Sequence, residues 1–508
     1  MAIVGGGPGG LASALLLARH KARVTLFERA PALGGRSALI REAGFTFDTG
    51  PTFFLYPRVL EEIVASCGFD LRREVDLLQL DPMYRLQFEA GQRIDATADL
   101  PALQRQIAAF DAHDGANLPA FMEENRRKLA LFRPALERGF DSVRDLLSPE
   151  VLRALPLLRP LRSVDADLRR HFRHPLVRLA FSFQCKYLGM SPFQCPSLFT
   201  ILSFLEYEHG VFHPRGGCGA VMEALGRIAR RMGVDIRLSQ PVERIEISGR
   251  RATGVRVGGG FVPADAVLVN ADFAHAMKTL VPNAARRRWT DGKLARKKYS
   301  CSTFMLYLGI EGAVEELPHH TVYLAEDFVG NLRDLDEGRR LTENPSVYVQ
   351  NACRTDPTLA PKGCSTLYLL VPVPHRSEHI DWNDTAAARA RAFRQLERLG
   401  VRDLERRIRV ERMMTPRSWE EQGIYRGATF NLRHSYDQML CFRPHNRFED
   451  LDRVYLVGGG THPGSGLPVI FESARISARA LCDDLGLQER ARAPANQPAM
   501  TPAMMETV

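Results

Sequence analysis

The chain has no apolar run near the 18 or more residues that a bilayer-crossing helix needs; its longest candidates, such as residues 197–205, reach half that length. An integral membrane protein built on helices is therefore not expected. Cysteine pairs are also missing. The nine cysteines, at 67, 185, 195, 218, 301, 353, 364, 441 and 482, include no C-x-x-C and are odd in number. This argues against a disulfide framework or a zinc site, so no metal is expected and a reducing, cytoplasmic setting fits. The start, Met1-Ala2-Ile3-Val4, lacks the charged and apolar regions of a signal peptide, so export is not expected; it also leaves the first strand short. No internal repeat is present. Lysine is scarce, at 8 of the 68 basic residues, so the net charge of +9 is an arginine charge whose placement matters more than its total. Between Arg126 and Arg178, 13 basic residues stand against 6 acidic ones, an excess of +7. With no nucleic-acid motif in that segment, the expected partner for the patch is an anionic membrane surface and not a nucleic acid.

What is present is the composition of a globular protein with two or three cores: 508 residues, 45% hydrophobic and 25% charged. Residues 2–28 read as strand, glycine turn, apolar helix and second strand, one βαβ unit. From about 96 to 210 the pattern is helical, interrupted at Pro134, Pro149, Pro156, Pro160 and Pro175. Apolar residues at helical spacing mark 221–232. Short alternating runs at 244–247 and 253–257 and a buried strand at 266–269 then return the chain to the nucleotide unit. Strands at 299–310, 346–351 and 364–374 form a separate sheet, and a strand at 454–457 begins a third return. The predicted architecture is α/β: a Rossmann-like dinucleotide-binding domain assembled from residues 1–95, 211–275 and 431–490. Into it are inserted a helical substrate and membrane domain (96–210) and a mixed-sheet substrate domain (276–430), and a disordered tail follows (491–508).

Gly5-Gly6-Gly7-Pro8-Gly9-Gly10 satisfies G-x-G-x-x-G between a strand and a helix. Gly5, Gly7 and Gly10 permit the tight turn, the approach of backbone to a pyrophosphate and close helix packing, and Glu28 at the end of the second strand suits ribose hydroxyls. Leu33-Gly34-Gly35-Arg36 adds a second glycine turn and a guanidinium near the same pyrophosphate. No second dinucleotide fingerprint follows, since Gly258-Gly259-Gly260 reads as a hairpin turn. A tightly held flavin with no nicotinamide domain is implied. Near the C-terminus, strand 454–457 runs through Gly458, Gly459 and Gly460 into a helix expected over 471–481, where backbone amides of Gly466 and Leu467 would face the cofactor.

Seven further strings recur in a known order: Gly44-Phe45-Thr46-Phe47-Asp48-Thr49-Gly50-Pro51, Phe212-His213-Pro214-Arg215-Gly216-Gly217, Asn270-Ala271-Asp272, His319-His320-Thr321, Thr355-Asp356-Pro357-Thr358-Leu359-Ala360-Pro361, Val371-Pro372-Val373-Pro374-His375 and Phe442-Arg443-Pro444-His445-Asn446. With the stretch from Tyr455 through His462 to Pro468, they make the chain resemble the bacterial and fungal type phytoene desaturases over residues 2–485. The resemblance implies FAD, a fold shared with the amine oxidases, a long apolar isoprenoid substrate and oxygen or a quinone as electron acceptor. It also places Val242 where backbone meets adenine. A relative that oxidises a terminal methyl or hydroxylated carotenoid carries the same motifs, so that alternative stays open.

An allylic CH2–CH2 unit has no carbonyl to acidify its protons, so hydride loss to the flavin is the expected first step, followed by loss of a proton from the resulting cation. His462, Arg36 and Arg443 are candidates for polarising the cofactor or placing that cation. Glu472 is the candidate proton acceptor, with helix capping and pairing to Arg475 or Arg479 as its plainer role.

Overall fold

Five three-residue strands lie parallel in the order Asp235–Arg237, Thr25–Phe27, Ala2–Val4, Val267–Val269, Val454–Leu456 in the computed structural model, which describes residues 1–487. They come from three separate parts of the chain. Alternation along each strand decides which core a side chain joins. Ile3, Leu26, Leu268 and Tyr455 point to one face, where they meet the helices Pro8–Arg19, Cys218–Arg231 and Leu467–Leu485. Ala2, Val4, Phe27, Val267 and Leu456 point to the other, against a three-stranded meander (Val242–Ser248, Arg251–Val257, Gly260–Pro263) and the helix Phe273–Leu280. Gly258 and Gly259 form the last turn of that meander, both at positive φ.

A seven-stranded mixed sheet lies beside this unit, in the order Ile408–Met414, Ser302–Glu311, Cys364–Val373, Val347–Gln350, His320–Leu324, Tyr84–Phe88, Arg93–Ala96. The 84–96 hairpin, from the segment read as the first FAD-binding part, pairs in parallel with His320–Leu324 and so extends the mixed sheet. One sheet face packs Phe304, Leu306, Leu308, Leu367 and Leu369 under the helix Ala386–Arg398. The opposite face carries Met305, Tyr307, Tyr348 and Tyr368.

Residues 100–209 are mostly short helices around one long one, Ala112–Leu136. Pro134 does not interrupt this helix but sits in its last turn, with Pro119 also inside it. Pro156 is likewise inside Pro149–Leu158, whereas Pro149 and Pro175 open their helices, where a missing N–H costs nothing. The basic excess of 126–178 is partly offset within the fold, by Glu123, Glu124 and Glu208 from outside the segment. Lys128, Arg159 and Arg170 converge on Glu124 and Asp167, Arg126 pairs with Glu123 and Glu208, and Arg169 pairs with Asp165. The tail read at 491–508 lies outside the described residues.

Candidate active site

A single cavity of about 1200 Å³ runs from the first glycine turn to the tyrosine-bearing face of the mixed sheet. That exceeds the ~300–1,000 Å³ of an ordinary ligand pocket. Its nucleotide end is built as the fingerprint requires. Gly5 stands at φ +101°, and a Cβ there would lie 2.5 Å from the Asn270 carbonyl oxygen; a Cβ on Gly10 would lie 2.1 Å from the Gly5 oxygen. Gly5 and Gly7 therefore present bare backbone to the cavity, while Gly10 lets the helix close on the strand. Glu28 lines the cavity with its carboxylate pinned by the Gly6 N–H (2.7 Å) and the Ala30 N–H (2.8 Å), leaving lone pairs for ribose hydroxyls. Val242, at the start of its strand, lines the same end.

The second turn follows the first. Gly34 (φ +116°) turns the chain, and Gly35 and Arg36 reach the cavity wall. Arg36 Nη1 donates to the Thr429 carbonyl (2.5 Å), and its guanidinium donates to the Asn431 side-chain oxygen at 3.1 and 3.2 Å. The Asn431 amide nitrogen donates in turn to Asp272 Oδ2 (2.6 Å). Burial pushes the Asp272 carboxyl up, and the Arg36 charge opposes that shift. Asp272 also caps the helix Phe273–Leu280. The string Asn270-Ala271-Asp272 thus supplies both the stop behind the first glycine turn and the counter-charge for Arg36, roles that no local pattern in the sequence exposes.

The C-terminal helix begins at Leu467, four residues before the expected start, with Gly466 (φ +112°) as its N-cap. Gly466 and Leu467 line the cavity, so the 19-residue helix presents its free N–H groups to it. Gly459 lines the wall as well, packed so that a Cβ would touch Asn431 and Ser465, whereas Gly460 is held against Phe273.

Of the four residues proposed for chemistry, Arg36 lines the cavity and the other three are placed elsewhere. His462 is buried with Nε2 donating to the Arg138 carbonyl (3.0 Å) and its ring against Phe140, and burial pulls its pKa down to about 3. Arg443 is fully buried and donates to the carbonyls of Gly459 (2.6 Å), Leu432 (3.2 Å), Gln438 (3.3 Å) and Thr461 (3.3 Å), which ties the glycine loop to the preceding segment. Glu472 sits in the second helical turn, too far along to cap it, and accepts from Arg475 Nη1 (3.3 Å), while Arg475 Nη2 donates to Glu62 (2.6 Å). None of the three lines the cavity. A lone polar residue beside a glycine loop reads the same in sequence whether it faces a ligand or holds the loop.

The substrate end was not legible locally. Three tyrosine hydroxyls from the mixed sheet grip the 49–52 segment: Tyr307 donates to the Thr49 carbonyl (2.6 Å), Tyr368 to the Gly50 carbonyl (2.7 Å), and Tyr348 bonds to Thr52 Oγ1 (2.6 Å). Asp48 accepts from Cys218 N and Gly219 N at the start of Cys218–Arg231, and burial pushes its pKa up to about 6. Lys186 lines the cavity, with its ammonium 4.8 Å from the Phe328 ring and in no ion pair among the described residues; burial pulls it down to about 8.

Comparison with known proteins agrees with this geometry. Residues 8–482 match the flavin containing amine oxidoreductase family. The chain is 42% identical over 483 residues to the 4,4'-diapophytoene desaturase (4,4'-diapolycopene-forming) of Methylomonas sp, covering 94% of each protein. It is 39% identical over 496 residues to the all-trans-zeta-carotene desaturase of Myxococcus xanthus, covering 95% of this chain and 93% of that one. An oxidoreductase structure from Methanosarcina mazei shares the fold, with a TM-score of 0.60 at 17% identity over 95% of this chain and 99% of the other. Fingerprint, cavity and relatives together make the chain a member of the flavin containing amine oxidoreductase family, an FAD-dependent oxidoreductase.

Proposed function

We propose that this chain is a desaturase that introduces double bonds into a linear isoprenoid such as 4,4'-diapophytoene or phytoene. The observation that carries the reading is the cavity itself: one continuous space joins the dinucleotide cradle to an apolar chamber walled by Phe53, Leu205, Val322, Leu332, Met305 and Tyr348. The names of the relatives at 42% and 39% identity support it.

FAD supplies a hydride acceptor when bound. Gly5, Gly7 and the N-terminus of Leu467–Leu485 would receive its pyrophosphate, Glu28 its adenosine ribose, Val242 its adenine, and Gly35, Arg36, Gly459 and Gly466 the middle of the molecule. The protein's remaining work is apolar. At about 25 cal/mol per Å² of apolar surface buried, a long polyene gains ample affinity without a hydrogen bond. The tyrosine grip on 49–52 fixes the wall against which one allylic C–H is held, and positioning of that kind supplies much of the rate.

Association with a membrane surface belongs to the same reading, since the substrate dissolves in lipid. No helix among the described residues is long and apolar enough to cross a bilayer. Its support is the exposed set Val143, Leu147, Leu152 and Leu161 on the helical domain, next in sequence to the exposed Arg144, Arg153 and Arg162. We place the protein on the cytoplasmic face, with oxygen or a quinone taking the electrons. A second reading, an enzyme acting on an oxygenated isoprenoid end, is favoured by one observation: Lys186, in no ion pair among the described residues, lines the same cavity as Asp336 beside the apolar chamber. Pigment analysis separates the two. A colourless host making phytoene or dehydrosqualene should accumulate coloured, more unsaturated products when it expresses this chain; unchanged precursors, with oxygenated carotenoids modified instead, would refute the desaturase reading.

A further inference from the structure

Three of the sequence strings have no part in cradling the cofactor: those containing His213, His319-His320 and Thr355-Asp356. In the fold they meet. The His319 ring lies 4.3 Å from that of His320 and 4.6 Å from that of His213, and the cluster sits directly behind Thr52, Phe53 and Tyr348 of the cavity wall, with His320 stacked on Phe53 at 4.2 Å.

The hydrogen bonds in this cluster run in one direction. Asp356 accepts from the Gly216 N–H (2.6 Å), from Thr358 and from His213 Nε2 (3.3 Å), so His213 carries a proton on Nε2, and with that single proton its Nδ1 is an acceptor. At the other end Thr52 Oγ1 bonds to Tyr348 Oη (2.6 Å), and Tyr348 Oη bonds to His320 Nδ1 (2.8 Å). With Tyr348 donating, His320 carries its proton on Nε2. Two groups then remain over. Among the described residues, His320 Nε2 and His213 Nδ1 are both buried and bond to no protein group. One is a donor and the other an acceptor, and both rings pack on His319. His319 itself is engaged, with Nδ1 on Thr355 (2.8 Å) and Nε2 on Gln350 (3.2 Å). A donor and an acceptor orphaned on either side of one ring are what ordered water bridges in protein interiors.

We propose that Thr52, Tyr348, His320, His213 and Asp356 form a proton-exit path from the cavity wall to the surface, closed between the two histidines by ordered water. The path rests on the desaturase reading, which requires one proton to leave the apolar chamber for each double bond made. Once the hydride has left the substrate, the adjacent C–H bond breaks and its electron pair becomes the second bond of the new C=C. The proton lands on Thr52 Oγ1. Thr52 passes its own proton to Tyr348 Oη, Tyr348 to His320 Nδ1, His320 its Nε2 proton through water to His213 Nδ1, and His213 its Nε2 proton to Asp356. Asp356 is buried, but its neighbours Pro357 and Thr358 are exposed, so solvent takes the proton there. The hydroxyls and the two neutral rings turn back before the next cycle.

The test uses the FAD-loaded enzyme with liposomal substrate under anaerobic, weakly buffered conditions with a pH-indicator dye. In His213→Gln, flavin bleaching should stay within about twofold of wild type, while proton release and polyene absorbance slow together by tenfold or more, a general-base-sized loss. A role confined to packing behind the cavity wall would instead lower FAD content or thermal stability and leave proton release in step with bleaching. A folded, FAD-loaded variant that releases protons at the wild-type rate overturns the path. A second readout is independent of activity and of variant folding: 15N NMR of the wild-type histidines should show His213 and His320 both protonated on Nε2, and the opposite tautomer at either breaks the chain. A wild-type enzyme inert to every linear isoprenoid sinks the desaturase reading, while the tautomers still decide the path.

Discussion

Replacing Glu472 with Gln separates a catalytic base from a buried structural carboxyl. The side chain is 9% exposed, contacts Arg475 and lies outside the cavity wall. Burial pushes its pKa from 4.5 up to about 7, with Arg475 opposing the shift and Glu137 and Glu62 adding to it. The folded protein therefore holds this proton more tightly than the unfolded chain. Between pH 4.5 and 7 the unfolded chain has lost the proton and the folded one has kept it, so this group's contribution to stability falls as pH rises through that window, and above pH 7 the whole penalty is present. At about 1.4 kcal/mol per tenfold change in proton affinity, the penalty is about 3 kcal/mol, and the Arg475 attraction is already contained in it. Gln fills the same space without the charge. Glu472→Gln should match wild type in urea unfolding near pH 4 and exceed it by about 3 kcal/mol at pH 8. Turnover should stay within about twofold, against the ~100-fold loss expected of a missing general base. A stability difference that is the same at both pH values, or a 100-fold loss of turnover in an FAD-loaded variant, would refute this reasoning.

Gly10→Ala would set a Cβ 2.1 Å from the Gly5 oxygen, and Gly7→Leu would fill the cradle itself; both should purify without FAD, judged by visible absorbance against circular dichroism. Arg443→Leu leaves buried carbonyls at 432, 438, 459 and 461 without their donor, so it should cost about 3 kcal/mol or more of stability and act on activity only through lost FAD; a folded, FAD-loaded Arg443→Leu with slow turnover would contradict that. Leu147, Leu152 and Leu161 changed together to Ser should abolish sedimentation with liposomes at both low and high salt, whereas binding that persists, or that depends only on salt, would return the attachment to the arginines.

The nucleotide end of the site was readable because its requirements are local. A βαβ unit places Gly5, Gly7, Gly10 and Glu28 within one short stretch, and the physical demands of turn, close approach and terminal acid act between neighbours in sequence. Four of the short strands were readable too, since they are apolar and largely buried; the fifth, Asp235–Arg237, is a sheet-edge strand with two exposed charged residues, and no apolar pattern marks it. The helix at the C-terminus was placed late because Pro468 and the glycines before it read as loop, although proline in the first turn is a helix start. For His462, Arg443 and Glu472 the residue types were right for chemistry, but their direction depends on which elements pack around the loop.

Local sequence determined the fold class and the dinucleotide cradle, because hydrophobic periodicity and glycine geometry act over a few residues; the apolar substrate followed from the resemblance of whole strings to the phytoene desaturases and from no local pattern. Only the tertiary structure decided which polar groups face the cavity. Tyr348 meets Thr52 from 296 residues away and His213 meets Asp356 from 143 away. Such pairs are brought together by the register of the mixed sheet against the nucleotide unit, and no spacing within the chain encodes that register on its own.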